Sequence, residues 1–221
     1  MIKRKTKKSK TAEPIRVRSH FEKLSSYFLN MNLRDFAMFY FGCFTGRRIS
    51  DIVALNIGDV AEIDTKGRFR VKRRFEIREK KTGKFINMPL SLRACNTLGK
   101  FLRQRKKESI ERGESVAEIL REPLFNSQKP RRSGEFRLTE KSAWRIIKTG
   151  AKACGIEENI GTHTLRKTFG YMLYQHGYSI ETIQKLLNHS SPEITLAYIG
   201  IKQDDLDDAV LSIDISDLRP F

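Results

Sequence analysis

Six side chains in this 221-residue sequence carry chemistry at suggestive positions. The run HTLR places His163 and Arg166 three residues apart, on one face of a helix. His189 stands in the loop NHSSP, and Tyr198 follows nine residues later, near the end of the next expected helix. Far upstream, Arg48 opens a short helix just after Gly46, where side chain and backbone N–H groups point the same way. Lys81 lies at the tip of an expected hairpin, in KKTGK. These are three kinds of cation and one phenol, with no carboxylate cluster of the kind that holds a divalent metal. The set suits phosphoryl transfer without metal or cofactor: cations balance the charge that builds on a pentavalent phosphorus while the phenol attacks. The bland alternative is that Tyr198 packs in a core, as Tyr171, Tyr174 and Tyr178 are expected to pack in the core or lie on the surface. His20 and His176 have no partner pattern and read as structural.

The elements that must position these groups follow from periodicity and punctuation. SHFEKLSSYFLN and LRDFAMFYFGCF read as two helices, the second apolar nearly all round and therefore central to a core. Gly46 breaks the second, and a short helix starts at Ile49. GDVAEI, FEIRE and KFINMPL alternate enough to be short strands, the last two joined at residues 80–84. Helices return at Ser91–Lys106, at Thr139–Ala153 with Thr139 as N-cap, and at 163–176. Ile180, Ile183, Leu186 and Leu187 mark one face of a further helix, and Ser191-Pro192 starts another. The fold class is mainly α with a small antiparallel β-sheet (α+β).

Composition sets the partner. Hydrophobic residues make up 39% and charged residues 31%, which fits a globular chain with a core. Lysine and arginine number 43 against 26 acidic residues, giving +17 at pH 7. The last 23 residues carry a net −4, so the first 198 carry +21. A body of that charge favours nucleic acid. The longest apolar cluster, FAMFYFGCF, is too short for a bilayer, which needs about 20 residues. The basic N-terminus has no apolar stretch behind it and is no secretory signal. Cys43, Cys95 and Cys154 are odd in number and widely spaced, which suggests neither zinc nor disulfides and fits the cytoplasm.

TGRRISDIVAL, KKTGK, HTLRKTF and LLNHSSPEITLAYI resemble, in order and spacing, the motifs of the tyrosine recombinases, also called phage integrases. The resemblance covers residues from about 19 to 200. It implies the catalytic-domain fold of that family over residues 15–198; the Lys-rich residues 1–14, by composition, read as a flexible basic arm before it. The resemblance also implies an acidic C-terminal segment at 199–221 that could be exchanged between protomers. Tyr198 would attack a scissile phosphate in double-stranded DNA and leave a 3′-phosphotyrosyl link. Arg48 and Arg166 would hold nonbridging oxygens, and His189 would donate a further hydrogen bond. Lys81 would protonate the leaving 5′-oxygen, and His163 would be the base. The family places its arginine directly before the Ile-Ser pair, which selects Arg48 over Arg47; its lysine precedes Thr-Gly, which selects Lys81 over Lys80 and Lys84. Asp51 would orient the arginine three residues before it. The expected function is site-specific recombination or integration for a mobile element, by a homotetramer on paired DNA sites that is a monomer without DNA. The rivals are type IB topoisomerase-like relaxation and an inactive DNA-binding regulator. Two departures stand out: only about 18 residues precede the first expected helix, where the family has a separate core-binding domain, and Asn188 stands where glycine often precedes the histidine.

Overall fold

A computed structural model of the chain describes residues 11–64, 66–201 and 210–211. They form two compact units, Met1–Phe169 and Gly170–Phe221. The first holds α1 (Arg18–Met31), α2 (Leu33–Thr45), α3 (Ile49–Ile52), α4 (Ile57–Val60), β1 (Ala61–Ile63), β2 (Phe69–Val71), β3 (Arg74–Arg78), β4 (Phe85–Pro89), α5 (Leu92–Glu111), α6 (Val116–Arg121) and α7 (Glu140–Ala153). The chain passes into the second unit within α8 (Thr162–Gln175), followed by α9 (Ile180–Leu187) and α10 (Pro192–Ile199).

In the first unit α2 is the central helix that its all-round apolar sequence predicts. Ala37, Met38, Phe39, Phe41 and Cys43 are all buried. On one side Phe39 meets Phe21 and Phe28 of α1, with ring centroids 5.3 and 5.2 Å apart. On the other, Phe41 meets Phe75 of β3 at 5.3 Å. Aromatic rings supply large apolar area and prefer such tilted contacts. The helix stops at Gly46, whose φ of 61° is left-handed and costs little only for glycine. A Cβ there would also lie 2.3 Å from the Phe169 ring.

Among the described residues the strands form two separate antiparallel hairpins, β1–β2 and β3–β4, where the alternating segments predict one small sheet. In β3–β4 Phe75 pairs with Met88 and Ile77 with Ile86; Phe75, Ile77 and Met88 point inward, as the period-two pattern requires. GDVAEI is part strand only: residues 57–60 are helical because the Asp59 carboxylate accepts from the Asn56 amide at 2.7 Å, closing a helical turn. The short strand β2 and helix α6 are additions to the expected set, and α5 runs five residues past its expected end at Lys106. Arg137 fixes the chain after α3: its Nη1 donates to the carbonyls of Val53, Ala54 and Leu55, and its Nη2 to Asn56 Oδ1.

Most of the expected basic arm, residues 1–14, lies outside the described residues. Its last part has no regular secondary structure, with Pro14 buried and the Glu13 amide donating to Asn159 O at 3.0 Å. Ile15 follows in the core, its amide held by Thr168 Oγ1 at 2.9 Å. The acidic segment past residue 201 also lies outside, apart from Val210 and Leu211.

Candidate active site

Arg48 is the N-cap residue of α3, extended at φ −65° and ψ 145°. Its side chain keeps 19% exposure, whereas that of its neighbour Arg47 keeps 1%. The pair therefore divides its work: Arg47 is an interior cation and Arg48 reaches a surface. Burial, then the nearby charge of Arg166, push the Arg47 pKa down to about 10. Arg47 Nε donates to Thr45 O at 3.2 Å.

Arg166 comes from α8 and is buried, and its Nη1 donates to the carbonyl of Gly46 at 2.6 Å. The glycine that ends α2 thus anchors the second arginine while releasing the chain toward the first. One turn earlier on α8, His163 keeps an exposed edge. Partial burial of its ring, then the charges of Arg166, Lys167, Arg48 and Lys81, hold its pKa below the ordinary 6.5. All four cations act on one imidazole, so Arg48, Lys81, His163 and Arg166 share one electrostatic neighbourhood although they are scattered over 119 residues of sequence.

Lys81 lies in the turn between β3 and β4, exposed to solvent. Two carboxylates hold that turn, and one of them, Glu79, is invisible to motif reading. Glu79 is buried, facing Arg48 Nη1 at 3.0 Å and Arg47 Nη1 at 3.3 Å. Asp51, expected to orient Arg48, instead accepts the Lys80 amide on Oδ1 at 3.0 Å.

In the second unit His189 and Tyr198 lie together, ring centroids 4.8 Å apart and planes at 70°. Asn188 ends α9 with φ 50°, the one non-glycine residue in the left-handed region among the described residues. Asparagine tolerates that region better than other side chains, so it can stand where glycine is usual. Gln184 grips the next residue from both sides: its carbonyl accepts the His189 amide, and its Nε2 donates to His189 O at 3.2 Å. His189 Nδ1 lies 3.1 Å from Thr195 Oγ1, and that hydroxyl donates to Ser191 O at 3.3 Å. The Thr195 hydroxyl has one proton to give, to Ser191 O or to Nδ1, so the tautomer of His189 sets which of the two is the donor. α10 begins as expected, with Ser191 accepting from the Ile194 amide and Pro192 in the first turn, and ends at Gly200. Tyr198 is half-buried near its end. His176 Nδ1 is 2.7 Å from Met172 O, one turn back, and His20 Nδ1 is 3.3 Å from Glu158 Oε1, far along the chain.

The family model described as "Phage integrase family" matches residues 19–204. Among curated proteins, the chain is 37% identical over 196 residues to "Probable integrase/recombinase YoeC" of Bacillus subtilis (strain 168), covering 87% of this chain and 91% of that one. It is 30% identical over 176 residues to "Tyrosine recombinase XerD" of Corynebacterium glutamicum, covering 80% of this chain and 51% of that protein. The chain thus spans about half the length of its XerD relatives. Among solved structures, XerA recombinase superposes with a TM-score of 0.67 at 20% identity, over 95% of this chain and 68% of that one. A lambda integrase tetramer bound to a Holliday junction gives 0.57 at 20% identity, over 86% and 49%. The solved structures share the mainly helical fold with small antiparallel sheets.

Proposed function

The chain belongs to the phage integrase family, the tyrosine recombinases, and on that premise we propose that it recombines double-stranded DNA at specific sites through a 3′-phosphotyrosyl link on Tyr198. Tyrosine recombinases are DNA breaking–rejoining enzymes, and this chain is one. The observation that supports the residue assignment is that Glu79, whose side chain holds the Lys81 turn through Thr82, faces Arg48, while Arg166 Nη1 donates to Gly46 O two residues before Arg48.

In the forward step Tyr198 Oη forms a bond to phosphorus as the bond from phosphorus to the 5′-oxygen breaks. Arg48 and Arg166 bind the nonbridging oxygens, where planar guanidinium groups fit best. The charge gathering on those oxygens meets cations already fixed in place, so little reorganisation is needed. A phenol has an ordinary pKa of about 10, so roughly a thousandth is ionised at pH 7. A base is therefore required. His163, with its pKa lowered, is neutral at pH 7 and takes the phenolic proton. Lys81 gives a proton to the departing 5′-oxygen, which leaves as a hydroxyl. His189 donates a hydrogen bond to the phosphate, protonated on Nε2 to do so while Nδ1 stays engaged with Thr195. Rejoining reverses every transfer, and the phosphotyrosyl bond keeps the bond energy meanwhile.

The working form is four copies on two duplexes, in the cytoplasm, in the service of a mobile element. Among the described residues no helix is long and apolar enough to cross a membrane. The test is covalent trapping on a nicked duplex whose cut fragment diffuses away. The full chain is expected to give an adduct, and Tyr198→Phe none, with duplex binding nearly unchanged because only one oxygen is lost. An adduct from the Phe variant refutes Tyr198 as nucleophile. Relaxation of supercoils without strand exchange between sites refutes recombination in favour of a topoisomerase.

A further inference from the structure

The carboxylate of Glu79 divides its two oxygens between two parts of the site. Oε1 faces the arginines, 3.0 Å from Arg48 Nη1 and 3.3 Å from Arg47 Nη1. Oε2 accepts the Thr82 hydroxyl at 2.7 Å. The backbone of the same residue closes the turn: the Glu79 amide donates to Lys84 O at 2.9 Å, and Glu79 O accepts the Gly83 amide at 2.8 Å. Lys81 stands inside the loop so closed. The Glu79 side chain has no solvent exposure.

Taking a carboxylate out of water costs several kcal/mol, and a buried ion pair often returns no net stability. Arg47, itself buried, needs a counter-ion, which accounts for one contact of Oε1. It does not account for Arg48, which can reach solvent, or for Thr82, which is neutral. Those two contacts have a common effect: they tie Arg48 to the hairpin that carries the lysine, across 31 residues of sequence.

We infer that Glu79 is a positioning residue for DNA cleavage, fixing the Arg48 guanidinium with one oxygen and, through Thr82, the Lys81 turn with the other. The inference rests on Lys81 as the proton donor and Arg48 as a phosphate ligand. Glu79 touches no DNA in this scheme and transfers no proton. It sets the separation between the group that holds the phosphate and the group that protonates the leaving oxygen. Misplacing either by about 1 Å is worth about a hundredfold in rate.

Single-turnover cleavage by the full chain tests this on two nicked duplexes. One carries the ordinary phosphodiester. The other carries a bridging 5′-phosphorothiolate, whose sulfur leaves as a thiolate and needs no proton. Thr82→Val removes the hydroxyl and leaves Arg48 untouched. It is expected to cleave the phosphodiester about tenfold more slowly, as for one lost hydrogen bond to a charged group, and the phosphorothiolate at close to the wild-type rate. Glu79→Gln is expected to slow both, because Arg48 loses its fixed partner, but the phosphodiester about tenfold more. A structural role alone would lower the melting temperature and slow both substrates equally; that result for both variants overturns the inference. If Glu79→Gln does not fold, Thr82→Val decides alone. Wild type that forms no adduct, or Lys81→Ala that the phosphorothiolate fails to rescue, overturns the underlying assignment and this inference with it.

Discussion

A methyl group added at Gly170 should separate placement of the nucleophile from stability. The helical backbone there sits against both helices of the second unit. A Cβ on Gly170 would lie 2.8 Å from Ile199 Cγ2 and 3.2 Å from Leu187 Cδ1. Ile199 adjoins Tyr198 and is fully buried, so it cannot swing away. Normal carbon contacts begin near 3.5 Å, and relief therefore demands a shift of roughly 0.5–1 Å in α10. Overpacking of this kind costs about 1–3 kcal/mol. Alanine is the better helix former by about 1 kcal/mol, so the net loss for Gly170→Ala is about 0–2 kcal/mol. The catalytic loss is larger, since a 1 Å misplacement of a reacting group costs about a hundredfold. Gly150→Ala is the control. Its Cβ would lie 2.6 Å from Phe28 Cζ, an equal intrusion between α7 and α1. Melting and single-turnover cleavage of both variants give the comparison. Both variants are expected to lose about 0–2 kcal/mol of stability; Gly170→Ala also loses about a hundredfold in cleavage, and Gly150→Ala leaves cleavage nearly intact. Equal cleavage losses in the two variants refute this account of how Tyr198 is aimed.

Two further predictions concern the cations. Arg166→Ala should slow cleavage about 10²–10³-fold, as for loss of a charge-stabilising donor, and the phosphorothiolate should not rescue it; rescue would show that Arg166 serves the leaving group. The acid limb of the cleavage rate should fall below pH 6.5, because burial and four cations depress the His163 pKa. Lys167→Met should move that limb upward in a pH–rate profile, and an unmoved limb refutes His163 as the titrating base. The sign for stability agrees: with the folded pKa depressed, the unfolded chain binds the proton first, so the contribution present above pH 6.5 is lost as pH falls from 6.5 through the lowered value.

The sequence shows its chemistry where residue type and local spacing suffice. His163 and Arg166 one turn apart, Ser191-Pro192 opening α10, and Gly46 ending α2 are all short-range signals, and each lies where expected. Choosing Arg48 over Arg47 rests on motif position alone; what the structure adds is that the two differ in burial, Arg47 being turned inward. Glu79 and Thr195 carry no local signal. Each is an ordinary polar residue whose partners are set by how the chain folds back, Glu79 on arginines 31 and 32 residues away. Asp51 matches the family's acidic position three residues after the first arginine, but no motif shows that its hydrogen bond goes to an amide 29 residues on. The strand expected at GDVAEI became half helix because one Asp59 side chain bonds its own turn, a contact that outweighs a weak alternating pattern. Three-residue strands such as β2 are too short for any period to register.

The Arg137 cluster changes what the net charge means. A guanidinium spent on the carbonyls of Val53, Ala54 and Leu55 adds to the formal total of +17 and little to the field that a duplex meets. Arg47 and Arg105 are turned inward in the same way. Two arginines of equal formal charge are therefore different materials in this chain, one mortar and one grip. An effort to curb indiscriminate DNA binding by neutralising cations would succeed at exposed positions such as Arg93, Lys100 and Arg103. The same exchange at Arg137 would leave the salt dependence of binding nearly as it was and would loosen the ledge from which Arg48 reaches out.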